Sequence, residues 1–232
     1  MVLLKASSSM DTLKGAQGAI CMEIKTGSLR HRRNIALPLW LKKARKTWEN
    51  TDFSTQDSRM RFVLELSRQN IEQSSGGPFS AAIFTRDTHQ LISVGVNRVV
   101  PEHCSLAHGE VMALLMAQEL LGSHDLAAEG LPSMEMVINA QPCIQCYGAI
   151  IWSGLHHVVF AASSADVERL TGFDEGPTPS DWVEQWERRG ITVEQGVLRD
   201  EACAIIAGYR SSGAPVYNSK HNKLSTEKSR QS

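Results

Sequence analysis

Long apolar runs are missing from this chain. No stretch approaches the roughly 18 uninterrupted apolar residues that mark a membrane span, so none is expected to cross a bilayer. The opening Met1-Val2-Leu3-Leu4-Lys5 turns polar too quickly for a secretory hydrophobic region. Arg30, His31, Arg32 and Arg33, with Ser7 to Ser9 nearby, have the flavour of an organelle presequence, but Asp11 and Glu23 dilute it. An excess of one charge is missing too. Lys and Arg number 24 against 25 Asp and Glu, a formal net charge of −1. No global positive field is therefore available to hold nucleic acid; the basic stretches at 30–33, 42–46 and 220–230 are the only candidates for a local one. Disulfide arithmetic also fails. Cys21, Cys104, Cys143, Cys146 and Cys203 are odd in number and irregularly spaced, which argues against a disulfide framework and for a reducing compartment, the cytoplasm.

What is present fits one globular domain. The 232 residues are 42% apolar and 21% charged, enough to bury a core. Residues 1–36 lack a sustained period and read as a loosely ordered extension, 37–217 as the domain, and 218–232 as a flexible polar tail. A helix-like rhythm starts near Leu37, and a second runs through Met60, Val63, Leu64 and Ile71. Ser74-Ser75-Gly76-Gly77-Pro78 breaks the chain. Phe79 to Thr85 and Leu91 to Val96 read as a hairpin. A helix follows from about Ala107 to Leu121, stopped by Gly122. Met134 to Ala140 is a third strand. Pro142 would open a helix carrying Cys143 to Trp152. His157 to Ala161, a helix over Trp182 to Arg189, a strand over Ile191 to Leu198 and a helix over Asp200 to Tyr209 complete the series. Strands alternating with helices give an α/β layered sheet.

The chemistry-bearing residues cluster at two expected helix starts. His108-Gly109-Glu110 precedes Pro142-Cys143-Ile144-Gln145-Cys146. One His and two Cys can hold zinc while leaving its fourth position open for reaction. Cys143 and Cys146, three apart, share a helix face, and a helix N-terminus favours the thiolate that binds metal. Glu110, near the same turn as His108, is placed to move a proton to and from a water that zinc acidifies to a pKa of about 7. The competing reading is a closed structural site in which His103 or Cys104 supplies a fourth ligand. Cys104 otherwise reads as a small loop or core residue, Cys21 and Cys203 as bystanders, and His156 and His157 as surface or packing residues.

The pattern H-x-E followed by P-C-x-x-C is the signature of zinc deaminases. The chain resembles the cytidine deaminase superfamily, in the branch of guanine deaminases and tRNA adenosine deaminases. The matching strings are Gly76-Gly77-Pro78-Phe79-Ser80-Ala81-Ala82-Ile83, Gly95-Val96-Asn97-Arg98-Val99, Ala107-His108-Gly109-Glu110 and Pro142 through Ile150, with Gly172-Phe173-Asp174-Glu175 pointing to bacterial-type guanine deaminases. The resemblance implies a three-layer α/β/α fold around a five-stranded mixed sheet, one zinc per subunit and a homodimer. It implies that Asn97 hydrogen-bonds the substrate ring, an amide offering both a donor and an acceptor. It also implies that Phe79 lines the pocket and that Asp174 lies beside the substrate. Glu175, where that family carries Asp, would shuttle protons with Glu110. Pro215-Val216-Tyr217 matches a tail that reaches a neighbouring active site. Departures flank the metal: Gly109 stands for the usual Ala, Gln141 for the usual acid, and Asn139-Ala140 for Ser-Cys.

The expected activity is hydrolytic deamination of a small amino-heterocycle with release of ammonia, guanine first. Cytosine, cytidine, guanosine, a pterin or an aminotriazine remain open within the class. A tRNA-editing enzyme and a non-catalytic zinc module stand outside it.

Overall fold

The computed structural model describes residues 35–218. The extension expected at 1–36 and the tail expected from 218 thus fall almost wholly outside the described residues. Within them the alternation of side chains along the strands dictates two cores. In Ser80–Thr85 (β1), Ala81 and Ile83 join one buried cluster while Ala82 and Phe84 join the other. Strand residues alternate faces, so a strand that is buried at every position must be covered on both sides.

The sheet order is β2-β1-β3-β4-β5, with β2 Leu91–Val96, β3 Met134–Ala140, β4 His157–Ala162 and β5 Thr192–Gln195. β1 runs antiparallel to β2 and β3, whereas β3, β4 and β5 are parallel. The parallel pairs need crossovers. Ile144–Ser153 (α4) carries the first and Trp182–Glu187 (α6) lies in the second, after Ser164–Thr171 (α5). One face of the sheet is covered by Leu39–Trp48 (α1), Gln56–Glu72 (α2), α5 and Arg199–Ser211 (α7), around Met60, Val63, Phe84, Val137 and Ile206. The other is covered by Gly109–Leu121 (α3), α4 and α6, around Ile83, Ala113, Met136, Ile150 and Trp186. The architecture is therefore three layers with a mixed sheet. Each large apolar side chain buried this way contributes about 1.5–3 kcal/mol.

Several boundaries differ from the sequence reading, each for a local reason. Phe79 precedes β1, because its carbonyl is taken by the Asn97 N–H as the chain enters the sheet. Pro142 lies outside α4, and Cys143 is the N-cap. β5 is four residues long because Gly196 turns at φ +78° and Leu198 at φ +52°. α6 ends at Glu187, ahead of the turn at Gly190. α5, absent from the sequence reading, is nucleated by a capping box in which Ser163 accepts the Asp166 N–H and Asp166 accepts the Ser163 N–H.

At the end of the sheet remote from Ala140, a charged cluster is buried. Arg59 of α2 pairs with Glu135 of β3 at 2.5 Å, and His157 of β4 lies 3.2 Å from Glu194. His157 is thus a buried packing residue.

Candidate active site

Two helix starts converge where β3 ends. His108 is the N-cap of α3 and Cys143 the N-cap of α4, with Cys146 in the first turn. His108 Nδ1 lies 3.4 Å from Cys143 Sγ and 3.6 Å from Cys146 Sγ. Glycine sets the approach. A Cβ on Gly95 of β2 would fall 2.0 Å from the Gly109 carbonyl oxygen, so only glycine lets the start of α3 press onto the strand. Gly109 itself is tight: a methyl group there would sit 3.0 Å from Ser80 Cα.

The three donors fit zinc. Zn–S of about 2.3 Å and Zn–N of about 2.0 Å at tetrahedral angles place an N and an S ligand about 3.5 Å apart, between the two separations seen here. Thiolate and imidazole are also the ligand set this metal favours. Among the described residues, His108, Cys143 and Cys146 are the one such group of three or more. His103 and Cys104 do not join it, so the group offers three donors where a closed structural site would use four.

Electrostatics within the group are strongly coupled. A hydrogen bond from Cys146, reinforced by His108, holds Cys143 down at about 4, while burial pushes Cys146 up. Burial works against the charged His108, but Cys143 outweighs it and raises His108 overall. Glu110 is buried beside them, and loss of solvent, with the Cys143 charge adding to it, raises its carboxyl to about 7. Glu175 is also buried and is pushed up to about 9 by burial first and by Cys143 and Glu110 next. Glu110 is thus poised to gain or lose a proton near neutrality, whereas Glu175 holds its proton there.

A cavity of about 370 Å³ opens on the group, lined by Phe79, His108, Glu110, Gln145, Glu175 and Tyr217 among others. The loop bearing Glu175 is pinned to α4, because Ile144 N–H donates to the Glu175 carbonyl at 3.0 Å. Phe79 meets Phe173 edge-on, with ring centres 5.3 Å apart. Asp174 is exposed on the cavity rim, and its carboxylate accepts the Gly176 N–H at 2.8 Å, which makes a turn. Asn97 is fully buried just behind the wall formed by Phe79, Val99 and Tyr217. Its Oδ1 accepts from Gly77 N and Val99 N, which leaves Nδ2 to donate, beside the buried Tyr217 hydroxyl. The amide is thus presented as a donor alone.

The substituted positions have structural work. Asn139 Oδ1 accepts the Ser80 N–H at 2.9 Å and its Nδ2 donates to the Pro78 carbonyl at 2.8 Å, locking the entry to β1. Gln141 Oε1 accepts the Ser164 N–H at 3.2 Å. Two lining residues were outside the expected set or differently placed. Gln145 sits between the two cysteines, a position whose direction only the helix start reveals. Tyr217 closes over the cavity of its own chain, 4.7 Å from the Phe173 ring, and Asn218 ties the segment down through Asp174 N and Gly172 O.

A model of the cytidine and deoxycytidylate deaminase zinc-binding region matches residues 54–162. Guanine deaminase of Bacillus subtilis is 29% identical over 138 residues, covering 60% of this chain and 83% of that protein. Among solved structures, the guanine deaminase from Nitrosomonas europaea is 47% identical with a TM-score of 0.72, over 80% of this chain and 100% of that one. A structure of NE0047 in complex with 2,6-diaminopurine is 49% identical with a TM-score of 0.72, over 80% of this chain and 96% of that one.

Proposed function

This chain belongs to the cytidine deaminase-like family of zinc hydrolases, and from that premise we propose that it deaminates guanine to xanthine with release of ammonia. The observation that carries the reading is the His108–Cys143–Cys146 triangle with Glu110 buried beside it, on the wall of a cavity with room for a flat base. The solved relatives named guanine deaminase or bound to a diaminopurine support a purine.

One zinc per subunit would be held by His108, Cys143 and Cys146 and would supply an activated water as nucleophile. Glu110 takes a proton from the attacking water and delivers it to the ring nitrogen next to the reacting carbon. Glu175, neutral in its buried position, passes a proton to the departing amine, which leaves as ammonia, and is reprotonated by the proton that the new hydroxyl gives up as the carbonyl forms. Asn97 Nδ2 donates to the base carbonyl, and Phe79 lies against its ring. Asp174 shapes the rim. The donor set with its thiols supports a reducing compartment, the cytoplasm. No helix among the described residues is long and apolar enough to cross a membrane. Apolar side chains left exposed on α3 and α4 and before α3, among them Trp152 at 85% and Leu106 at 59%, support a homodimer.

The test is ammonia release from guanine by zinc-loaded protein with Glu110→Gln as control. Turnover by wild type and none by the variant is expected. No turnover of guanine while another aminated ring is consumed would reassign the substrate.

A further inference from the structure

The cavity wall contains a polar group that the reaction just described does not use. Gln145 occupies the first turn of α4, between Cys143 and Cys146, and lines the cavity. Its Nε2 is shut off from solvent and has no hydrogen-bond partner among the described residues. A buried donor left unmade costs about 1–3 kcal/mol, so such a group in a binding cavity points to an acceptor on the ligand. Asn97, behind the same wall, offers its Nδ2 beside the Tyr217 hydroxyl, with its oxygen already taken by Gly77 and Val99. Two amide donors therefore stand at or behind this wall, and the α4 donor stands next to the metal ligands. Gln141, also on this wall, has its oxygen occupied by Ser164 N and does not compete for Gln145.

We propose that Gln145 is a specificity-determining residue whose Nε2–H donates to a ring nitrogen of the bound purine, while Asn97 serves the carbonyl. The assignment rests on the guanine reading above. It predicts selection for bases with two acceptors, one exocyclic oxygen and one ring nitrogen. A ring with carbon at that position leaves the Gln145 donor orphaned and is rejected.

The experiment compares zinc-loaded wild type, Gln145→Met and Gln145→Glu, full chain, on guanine, 7-deazaguanine and 3-deazaguanine, with 8-azaguanine binding measured by calorimetry. Zinc content is measured in each protein. Both variants are expected to retain zinc and to lose about ten- to hundredfold in kcat/KM on guanine and in affinity for 8-azaguanine. On one of the two deaza bases, the one lacking the partner nitrogen, wild type is already impaired and Gln145→Met costs less than about threefold more. Variant values on guanine and 8-azaguanine within about twofold of wild type overturn the proposal. So does an equal loss on guanine and on both deaza bases, or loss of zinc in both variants, which would make Gln145 part of the metal frame. If wild type leaves guanine untouched, the guanine reading fails by itself, and the 8-azaguanine affinities still decide Gln145: weakened in the variants supports it, unchanged or undetectable binding in wild type overturns it.

Discussion

Asn97 accepts the backbone N–H of Gly77 on Oδ1 at 3.3 Å, and a second N–H, from Val99, reaches the same oxygen at 3.2 Å. The carboxamide cannot turn over without orphaning both, so its nitrogen is committed to donation. Asn70 of α2 braces the same corner, its Nδ2 donating to the Gly77 carbonyl at 2.8 Å and the Asn97 carbonyl at 3.0 Å. Asn97→Asp keeps both accepted bonds but replaces the donor by an acceptor. About a hundredfold loss in kcat/KM on guanine is expected, with bound zinc unchanged. Steady-state kinetics and metal analysis check this; kinetics equal to wild type would remove Asn97 from the substrate contacts.

The packing of α3 on β2 gives a paired stability prediction. A methyl group at Gly95 meets Gly109 O at 2.0 Å and Ala113 N at 2.3 Å, both backbone atoms that move only with the helix. Gly95→Ala is expected to destabilise by about 1–3 kcal/mol and, because His108 caps that helix, to weaken zinc retention. Gly148 in α4 has nothing within 4 Å of its Cβ position, and Gly148→Ala is expected to stabilise by about 0.5–1 kcal/mol. Urea unfolding of both variants reads the difference.

Hydrolysis should be separable from folding when the metal is withdrawn. The cores on the two sheet faces are closed by apolar side chains that make no use of His108, Cys143 or Cys146 as their centre, apart from partial burial of α4. Chelation is expected to abolish ammonia release, to leave a cooperative thermal transition at a lower Tm, and to be reversed by added zinc. A chain that unfolds outright on chelation would place the ion in the stability of the whole domain.

Most strands and helices were legible in the sequence because an apolar pattern marks them and several end at a recognisable breaker. Gly122 and Gly154 stop α3 and α4 in the left-handed region, at φ +64° and +79°. α5 was not legible: its eight residues are mostly polar, and its start is signalled by Ser163 and Asp166 in a side-chain exchange that spacing alone does not single out. The spacing of His108, Cys143 and Cys146 was legible as a ligand pattern, and the structure brings the three together. The donor-only state of Asn97, the orphan amide of Gln145 and the closure by Tyr217 were not, because they depend on which groups the fold brings close, such as Gly77 to Asn97 and Phe173 to Tyr217. Asp174 shows the reverse, a matched motif residue whose carboxylate is spent on the Gly176 turn.

The buried cluster at the far end of the sheet sets a pH dependence of stability. Burial lowers the pKa of His157, with Arg86 adding to it, against the opposing pull of Glu135 and Glu194. The folded value lies below the unfolded value of about 6.5, so the unfolded state takes up the proton first. The contribution is fully present above pH 6.5 or so and is lost as pH falls through the folded value. His157→Gln is expected to flatten the decline in stability below that pH, as read by urea midpoints at several pH values. An unchanged slope would assign the decline to other groups.

The most direct measurement is ammonia released per mole of guanine consumed by the zinc-loaded chain, alongside Glu110→Gln carrying the same zinc. One ammonia and one xanthine per guanine for the wild type, with turnover at least about a hundredfold lower in the variant, is the predicted result. Full activity in Glu110→Gln, or no ammonia from any aminated base, would contradict the account.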